Sequence, residues 1–197
     1  MAADAQGNDL GAVGVPITGA IGVAPVLEAN VIAPAEGGSP DLVLPAAYRK
    51  LGLIKQDGGF NLTTEKTGDA IEFYQDGYSL PSGLANATLE VGLAQTDALV
   101  REVTRGKVPD ANGYIEVDAG GHSIRYLLYT EEVFRNGFIV RRLGVVGVDT
   151  VQEDQSTRGE VRGVTVTFKY ERSPYFGMTH YGEWLVDTNE PEPDPEP

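Results

Sequence analysis

The sequence predicts a mainly β domain, sandwich-like or barrel-like, with one flanking α-helix and extended terminal arms. Several segments alternate apolar and polar side chains, one segment carries helix start and stop signals, and 25 Gly and 12 Pro indicate many turns. A length of 197 residues fits one domain. We divide the chain into an extended arm over residues 1–45, a β-rich domain over residues 46–187 and a disordered, acidic, proline-rich tail over residues 188–197.

The clearest strand signal covers residues 84–93. Alternate side chains there, such as Ala87 and Leu89, are apolar, whereas Asn86, Thr88 and Glu90 between them are polar. Because successive strand residues point to opposite faces, one face should pack and the other should meet water. Weaker patterns predict strands over residues 17–23, 60–64, 70–75, 114–117, 123–130, 138–151 and 161–172.

Turn and cap residues connect these segments. Asn136-Gly137 predicts a hairpin with a type I′ turn, in which both residues have positive φ. The charged stretch over residues 64–69 predicts a second hairpin loop. Thr96 is the predicted N-cap of the one helix, which should end at Gly106.

The arm over residues 1–45 is rich in Gly, Ala and Pro and contains one short strand. Such a segment cannot form much core alone, so we expect it to be disordered or ordered against a neighbouring copy. Deletion of residues 1–40 is then expected to leave a folded monomer that cannot polymerise.

Composition argues against several classes of function. A formal net charge of −14 disfavours a protein that grips nucleic acid, since that requires clustered Lys and Arg. The absence of Cys excludes disulfides and thiolate sites. The uncharged run over residues 10–27 follows no basic residue and is broken by Gly and Pro, so we expect no membrane insertion.

No enzyme motif is present in the sequence. Nucleophile elbows and phosphate-binding loops are absent. The two histidines, His122 and His180, are expected to be structural or surface residues, although His180 and Glu183 could form half of a metal site. The adjacent carboxylates Glu131 with Glu132, and Glu153 with Asp154, are interpreted as solvated edges or loops. We therefore expect no catalytic residue, no cofactor and no metal, and hence a protein that is not an enzyme.

The order of motifs along residues 17–107 is informative. Gly-Ala-Ile-Gly-Val-Ala-Pro at residues 19–25 is followed by Leu-Gly-Leu-Ile-Lys-Gln-Asp-Gly-Gly at residues 51–59, then by Tyr-Gln-Asp-Gly at residues 74–77 and by the alternating strand and helix. This combination resembles the major tail proteins, or tail tube proteins, of long-tailed, non-contractile phages, especially those of actinobacterial hosts. The strand over residues 161–170 resembles the family more loosely. Tyr74 departs from the pattern, because the family often carries Trp there.

The resemblance implies a structural virion protein that assembles in the host cytoplasm as a homohexamer. Its rings would stack into the phage tail tube, whose channel serves genome ejection, and DNA would pass without sticking. The implied partners are other copies of the chain, the tape measure protein, the tail terminator and the distal tail or initiator complex.

Two sets of residues are candidates for these contacts. Asn86, Thr88 and Glu90 are candidates for the channel wall, because uncharged or acidic side chains would not pair with phosphate. The candidates for contacts between rings are Thr64, Glu65, Lys66, Thr67, Gly68 and Asp69.

Two alternatives remain open. The first is another virion β protein, namely a tail terminator, a distal tail protein or a head decoration protein. The second is a carbohydrate-binding or hydrolytic β domain, which should bind sugar saturably and usually exposes clustered aromatic side chains.

Overall fold

The computed structural model describes residues 5–80 and 83–189 of the chain. It confirms a mainly β fold built on one large antiparallel sheet. The strands are β1 (Pro16–Pro25), β2 (Arg49–Lys50), β3 (Asn61–Thr67), β4 (Ile71–Glu72), β5 (Ser79–Leu80), β6 (Leu84–Leu93), β7 (Arg125–Phe134), β8 (Phe138–Glu153), β9 (Val164–Glu171) and β10 (Tyr181–Asp187). The helices are α1 (Pro34–Gly37) and α2 (Ala98–Arg105). No helix in the described ranges is long and apolar enough to cross a membrane.

The large sheet has the strand order β2-β1-β7-β8-β9-β6-β3, and β10 pairs with β8 as well. The first part of β8 lies between β7 and β10, and its last part pairs with β9 alone. A register shift between Val148 and Thr150 marks a bulge, which bends a strand. We call residues 148–153 of β8 with β9, β6 and β3 the front layer, and we call β2, β1, β7, residues 138–147 of β8 and β10 the back layer.

The main core lies between these two layers. Ile21, Val23 and Leu128 of the back layer pack in one buried cluster with Leu89 and Phe168 of the front layer. Since β1 and β6 are far apart in the strand order, their shared core shows that the sheet curls onto itself, as a sandwich or partial barrel does.

The chain after β2 joins the two layers at one end. The Leu51 N–H donates to the Ile21 carbonyl of β1 at 3.0 Å, and the Ala94 N–H after β6 donates to the Leu53 carbonyl at 2.8 Å. Backbone hydrogen bonds therefore hold the middle of β1 near the end of β6.

A second core covers the other face of the back layer. Tyr129, Leu127 and Leu143 pack there against Ile32 and Tyr48 from the segment between β1 and β2. The back layer is therefore covered on both faces, whereas the front layer has a core on one face only.

Arg141 of β8 fastens the covering segment to the back layer. This residue is only 2% exposed. Its Nε lies 2.7 Å from Glu131 Oε2, and its guanidinium donates to the carbonyls of Gly37, Ser39 and Pro40. The buried charge is thus paired and its donors are used, as a buried arginine requires.

The structure corrects the predicted arm over residues 1–45. β1 pairs with β7 over nearly its whole length, and Ile21, Val23 and Ala24 are buried. The strand predicted over residues 17–23 is therefore part of the large sheet, and the segment that follows it covers the back layer, so residues 16–45 belong to the domain. Of the predicted tail, residues 190–197 lie outside the described residues, and Thr188 and Asn189 form a turn.

Several local predictions also differ from the structure. α2 is capped by Asp97, whose side chain accepts from the Val100 N–H at 3.0 Å, and not by Thr96. Gly106 ends the helix in the left-handed region, as predicted. In the turn after β7 only Gly137 has positive φ, which fits a three-residue connection rather than a type I′ turn. The strand predicted over residues 114–117 is absent from the described structure.

Deletion of residues 1–40 should now prevent folding, because it removes a strand that contributes to both cores. Point substitutions test the central position of β1 without removing the strand. Val23→Ala should lower the free energy of unfolding by about 2 kcal/mol, since it removes buried methyl groups. Chemical denaturation measures the change.

Val13→Ala is the matched control, because Val13 is exposed ahead of β1. Its effect should stay within about 0.5 kcal/mol. Equal effects of the two substitutions, or a folded protein lacking residues 1–40, would contradict the central position of β1.

Candidate assembly surfaces

The outer face of the front layer is polar across all four strands. Cross-strand register places Glu90 beside Asn61 of β3 and Thr167 of β9, and it places Thr88 beside Thr63 and Lys169. The residues of this polar face are Asn61, Thr63, Glu65, Asn86, Thr88, Glu90, Thr150, Gln152, Thr165, Thr167 and Lys169.

The polar face carries little charge. Its charged members are Glu65, Glu90 and Lys169, and the other members are Thr, Asn or Gln. Thr150 and Thr167 on adjacent strands hydrogen-bond through their hydroxyl groups at 2.9 Å. The three predicted channel-wall residues, Asn86, Thr88 and Glu90, thus lie together at the centre of a broad hydrophilic surface.

Strand periodicity produces this surface. Ala87, Leu89 and Val91 of β6 point into the core and are buried, so the residues between them must point outward. β9 repeats the arrangement, with Val166, Phe168 and Tyr170 buried. An antiparallel sheet with one packed and one solvated face shows this alternation.

The front layer also has two unpaired edges in the described structure. β3 pairs only with β6, and residues 148–153 of β8 pair only with β9 because β7 begins opposite Gly147. Each edge presents backbone N–H and C=O groups without a strand partner. Such edges are templates for pairing with another chain.

The two edge strands run in opposite directions. Every pairing from β8 through β9 and β6 to β3 is antiparallel, and four strands are joined in this way. If copies of the layer are related by rotation about an axis along the layer, β3 of one copy lies antiparallel to β8 of the next. The two edges are therefore compatible as partners.

A separate hairpin projects from the end of β3. β4 and β5 pair only with each other in the described structure, and Gly77 adopts a positive φ of 87° in the connecting turn. Its large side chains are exposed, and Tyr74 is fully so. These exposed side chains are Ile71, Phe73, Tyr74, Tyr78 and Leu80. Because an isolated two-stranded hairpin is only marginally stable, this apolar hairpin is suited to a partner surface.

The structure corrects the hairpin loop predicted over residues 64–69. Thr64, Glu65, Lys66 and Thr67 are not a loop, since they continue β3 and pair with β6. Gly68 and Asp69 begin the excursion that carries the hairpin. The error arose from pairing residues 60–64 with residues 70–75, whereas the structure pairs β3 with β6 and turns at residues 73–78.

The carboxylates considered for acid and base chemistry all have cationic partners. Glu131 pairs with Arg141, and Glu132 pairs with Arg142. Lys55 Nζ lies 2.7 Å from Asp154, and this bond, followed by one from the Gly163 N–H, holds the pKa of Asp154 below its usual range. Glu153 pairs with Arg105 and Arg162. The prediction of simply solvated edges missed these ion pairs.

The histidines lie in separate places. The His122 Nε2 is 2.9 Å from the Val103 carbonyl at the end of α2, and His180 precedes β10. In the described part of the chain, no group of three or more His, Asp and Glu residues could hold a metal.

Sequence reasoning missed the unpaired β8 edge and the apolar hairpin. The edge was indicated only indirectly, because the strand predicted over residues 138–151 is longer than the strands predicted on either side of it. The hairpin had a local signal in the apolar residues on both sides of Asp76-Gly77. Which strand pairs with which depends on distant contacts, and the local pattern does not contain them.

Comparisons of the structure with solved structures give distant likenesses. No protein family and no curated protein matches the sequence. Among solved structures, the fold is similar to the SPP1 tail tube determined by solid-state NMR and cryo-EM, with 11% identity and a TM-score of 0.40. The match covers 87% of this chain and 78% of that chain. A likeness at this distance assigns neither a family nor a function.

Proposed function

We propose that this chain is a structural virion protein that polymerises as stacked hexameric rings into a phage tail tube, through which DNA is ejected into the host. The observation that carries the proposal is the front layer, which has a packed inner face, a polar outer face and two complementary unpaired edges. The order of sequence motifs supports the same assignment.

Edge pairing would close the front layers of six copies into one barrel. Four strands from each copy make roughly 24 strands, and with about 4.8 Å between strands and a tilt of about 40° the backbone diameter is about 48 Å. A barrel of this size encloses an aqueous lumen. The polar face would line that lumen, because the other face of the layer is the core.

The polar face suits the passage of a polyanion. Lys169 is its one cation, and Glu65 and Glu90 repel phosphate. Phosphate binding depends on the release of condensed counterions by Lys and Arg, so a wall with few cations lets DNA slide.

The apolar hairpin would supply contacts between rings. Its exposed side chains lose water-accessible surface only when another molecule covers them, and such burial contributes about 25 cal/mol per Å². Stacked rings use heterologous contacts, in which a surface of one copy meets a different surface of the next.

The proposed role sets the protein's partners and location. The chain would act without catalysis in the virion after assembly in the host cytoplasm. Its partners would be other copies of itself, a tape measure protein, a tail terminator and a distal tail or initiator complex. DNA would contact it only in transit.

The hairpin also gives one observation in favour of a carbohydrate-binding domain. Phe73, Tyr74 and Tyr78 form the cluster of exposed aromatic side chains that such a domain usually has. Trp184 does not add to it, since its indole lies against Gly37 and donates to the Pro34 carbonyl at 2.8 Å. Glycan titration of the purified protein separates this alternative from assembly.

Purified protein should form long hollow filaments in negative-stain electron microscopy, with an initiator complex added where a seed is needed. Blocking the outer edge of β3 should prevent filament formation. Proline removes a backbone N–H, and successive residues of a strand direct their N–H groups to opposite sides. Of the variants Thr63→Pro and Thr64→Pro, one should therefore disturb the pairing of β3 with β6. The other should block only the outer edge of β3.

The variant that keeps wild-type stability should form no closed rings. Filaments from both variants would contradict edge pairing. Single rings that never stack would indicate a terminator or distal tail protein instead, and saturable sugar binding without filaments would indicate the carbohydrate-binding alternative.

Replacing both Phe73 and Tyr74 with Ser should raise the protein concentration needed for filaments by roughly tenfold or more, because the hairpin loses its apolar contact. Light scattering and microscopy measure that concentration. The free energy of unfolding should change by less than about 0.5 kcal/mol, since both side chains are exposed.

Val43→Ser is the matched control, because Val43 is an exposed apolar residue outside the hairpin. Equal effects of the double variant and the control on assembly would remove the hairpin from the ring contact.

Glu90→Lys should leave filament formation intact while slowing DNA ejection several-fold at low salt. The substitution places a new cation on the polar face in every copy, and each cation can pair with phosphate. The effect should shrink as salt is added. The measurement is the rate of DNA ejection from variant particles, monitored as the release of dye-labelled DNA.

Glu36→Lys makes the same charge change on the exposed surface of α1, away from the front layer. It should leave the ejection rate unchanged. Unchanged ejection with Glu90→Lys as well would exclude Glu90 from the channel wall.

A further inference from the structure

Three arginines line a small cleft between α2 and the last residues of β8. The cleft has a volume of about 240 Å³, and Arg101, Arg105 and Arg162 lie along it. Val100 and Val164 give it an apolar side. Glu153 is the one carboxylate among the described residues that line it.

The charges inside this arginine cleft do not balance. Glu153 pairs with Arg105 through Oε1 and with Arg162 through Oε2, so both of its oxygens are used. Arg101 donates to the Gly113 carbonyl at 3.0 Å, which satisfies a donor without neutralising the charge. Three cations therefore face one anion in a chain whose formal net charge is −14. A local excess of positive charge on such a chain is suited to an anionic partner.

The chain itself contains a segment of opposite charge. Residues 190–197, which lie outside the described residues, read Glu-Pro-Glu-Pro-Asp-Pro-Glu-Pro and carry four carboxylates without a cation. Arginine binds carboxylates strongly through paired N–H donors. Proline restricts the free conformations of a segment and so lowers the entropic cost of binding it.

The acidic segment starts at the opposite end of β8 from the cleft. The Thr188 N–H donates to the Gly137 carbonyl at 3.0 Å, and Asn189 Nδ2 donates to the Asn136 carbonyl at 2.9 Å, both in the turn that precedes β8. Glu153, at the other end of this 16-residue strand, lies in the cleft.

The distance along β8 argues against occupation within one copy. The path from Phe138 to Glu153 is about 50 Å at about 3.3 Å per residue. Glu196, the carboxylate furthest along the segment, is seven residues from Asn189, so it reaches no more than about 25 Å from it. Copies stacked head to tail would instead place the start of the segment in one ring near the cleft in the next.

We propose that the arginine cleft binds the acidic residues 190–197 of a second copy of the chain in the adjoining ring. The inference rests on the proposed stacking of rings, which it deepens by naming one contact between them. A nucleic acid is the less suitable occupant, because the rest of this acidic chain repels its backbone.

Peptide binding by the full-length protein tests the contact without any polymer. The acceptor is a variant with Glu190→Gln, Glu192→Gln, Asp194→Asn and Glu196→Gln, held below the concentration at which it assembles. The probe is a fluorescent peptide of residues 187–197, and its binding is measured by fluorescence anisotropy. We expect saturable binding that weakens as salt rises.

Adding Arg162→Gln to the acceptor should weaken binding roughly tenfold, since a charge-assisted contact is lost. Adding Arg105→Gln should weaken it further. Arg162 is the safer single change, because its side chain is 52% exposed. Arg135→Gln, an exposed arginine in the turn before β8, is the matched control and should bind like the acceptor.

Equal binding by the Arg162→Gln variant and the control, or equal binding of a peptide with neutral Gln and Asn in place of its acids, would overturn the proposal. Displacement of the peptide by a short oligonucleotide of equal charge at the same concentration would overturn the choice of occupant. Weaker peptide binding by the unmodified chain than by the acceptor, both as monomers, would show that each copy fills its own cleft.

The result is separable from the filament test. Filaments without peptide binding would overturn only the cleft contact. Peptide binding by a chain that forms no filaments would overturn the stacked tube while leaving the pairing of cleft and segment in place.

Discussion

The organisation of this protein depends on one strand that serves both layers. A β-strand has two hydrogen-bonding edges, and β8 uses them differently along its 16 residues. In the described structure, the first part of β8 pairs with β7 on one edge and with β10 on the other, whereas residues 148–153 pair with β9 on one edge only. The bulge after Val148 lies where the strand leaves one layer and enters the other. The bend that takes β8 from one layer to the other therefore also leaves residues 148–153 without a second strand partner in the described structure.

Burial differs between the layers for a related reason. The back layer is covered twice, by the front layer and by the segment between β1 and β2 that Arg141 fastens through three carbonyls. The front layer has only one cover, and its outer residues are Thr, Asn and Gln with few charges. A monomer could place water against this face at no cost. In a monomer, the edges of β3 and β8 have water in place of a strand partner, and the apolar side chains of the hairpin are exposed. These are the surfaces that a neighbouring copy could cover.

Local signals predicted the elements whose structure is decided locally. The strand over residues 84–93 and the helix end at Gly106 follow from side-chain period and backbone conformation, and both occur as predicted. The front face of β6 could therefore be predicted from the sequence. Elements decided by distant contacts were wrong or missed. The strand over residues 17–23 was predicted, but its place in the domain was not, because contacts with β7 and with the two cores hold residues 16–25 in the sheet. The hairpin over residues 71–80 was assigned to the wrong partner, because residues 60–64 offered an equally good local pairing.

The proposed tube, made of one kind of subunit, requires unlike surfaces that fit each other, and this chain has two candidate pairs. The β3 and β8 edges differ in sequence and run in opposite directions, so around a rotation axis each meets the other and never itself. Along the axis, the cationic cleft and the acidic residues 190–197 likewise differ in charge, and Asn189, which precedes the acidic residues, lies at the end of β8 opposite the cleft. A chain with a formal net charge of −14 repels its copies at long range. Association of the copies would then depend on short-range contacts, namely the backbone pairing of the edges, the apolar side chains of the hairpin and the cations of the arginine cleft. Each of these lies on a surface where the proposed tube would join one copy to the next.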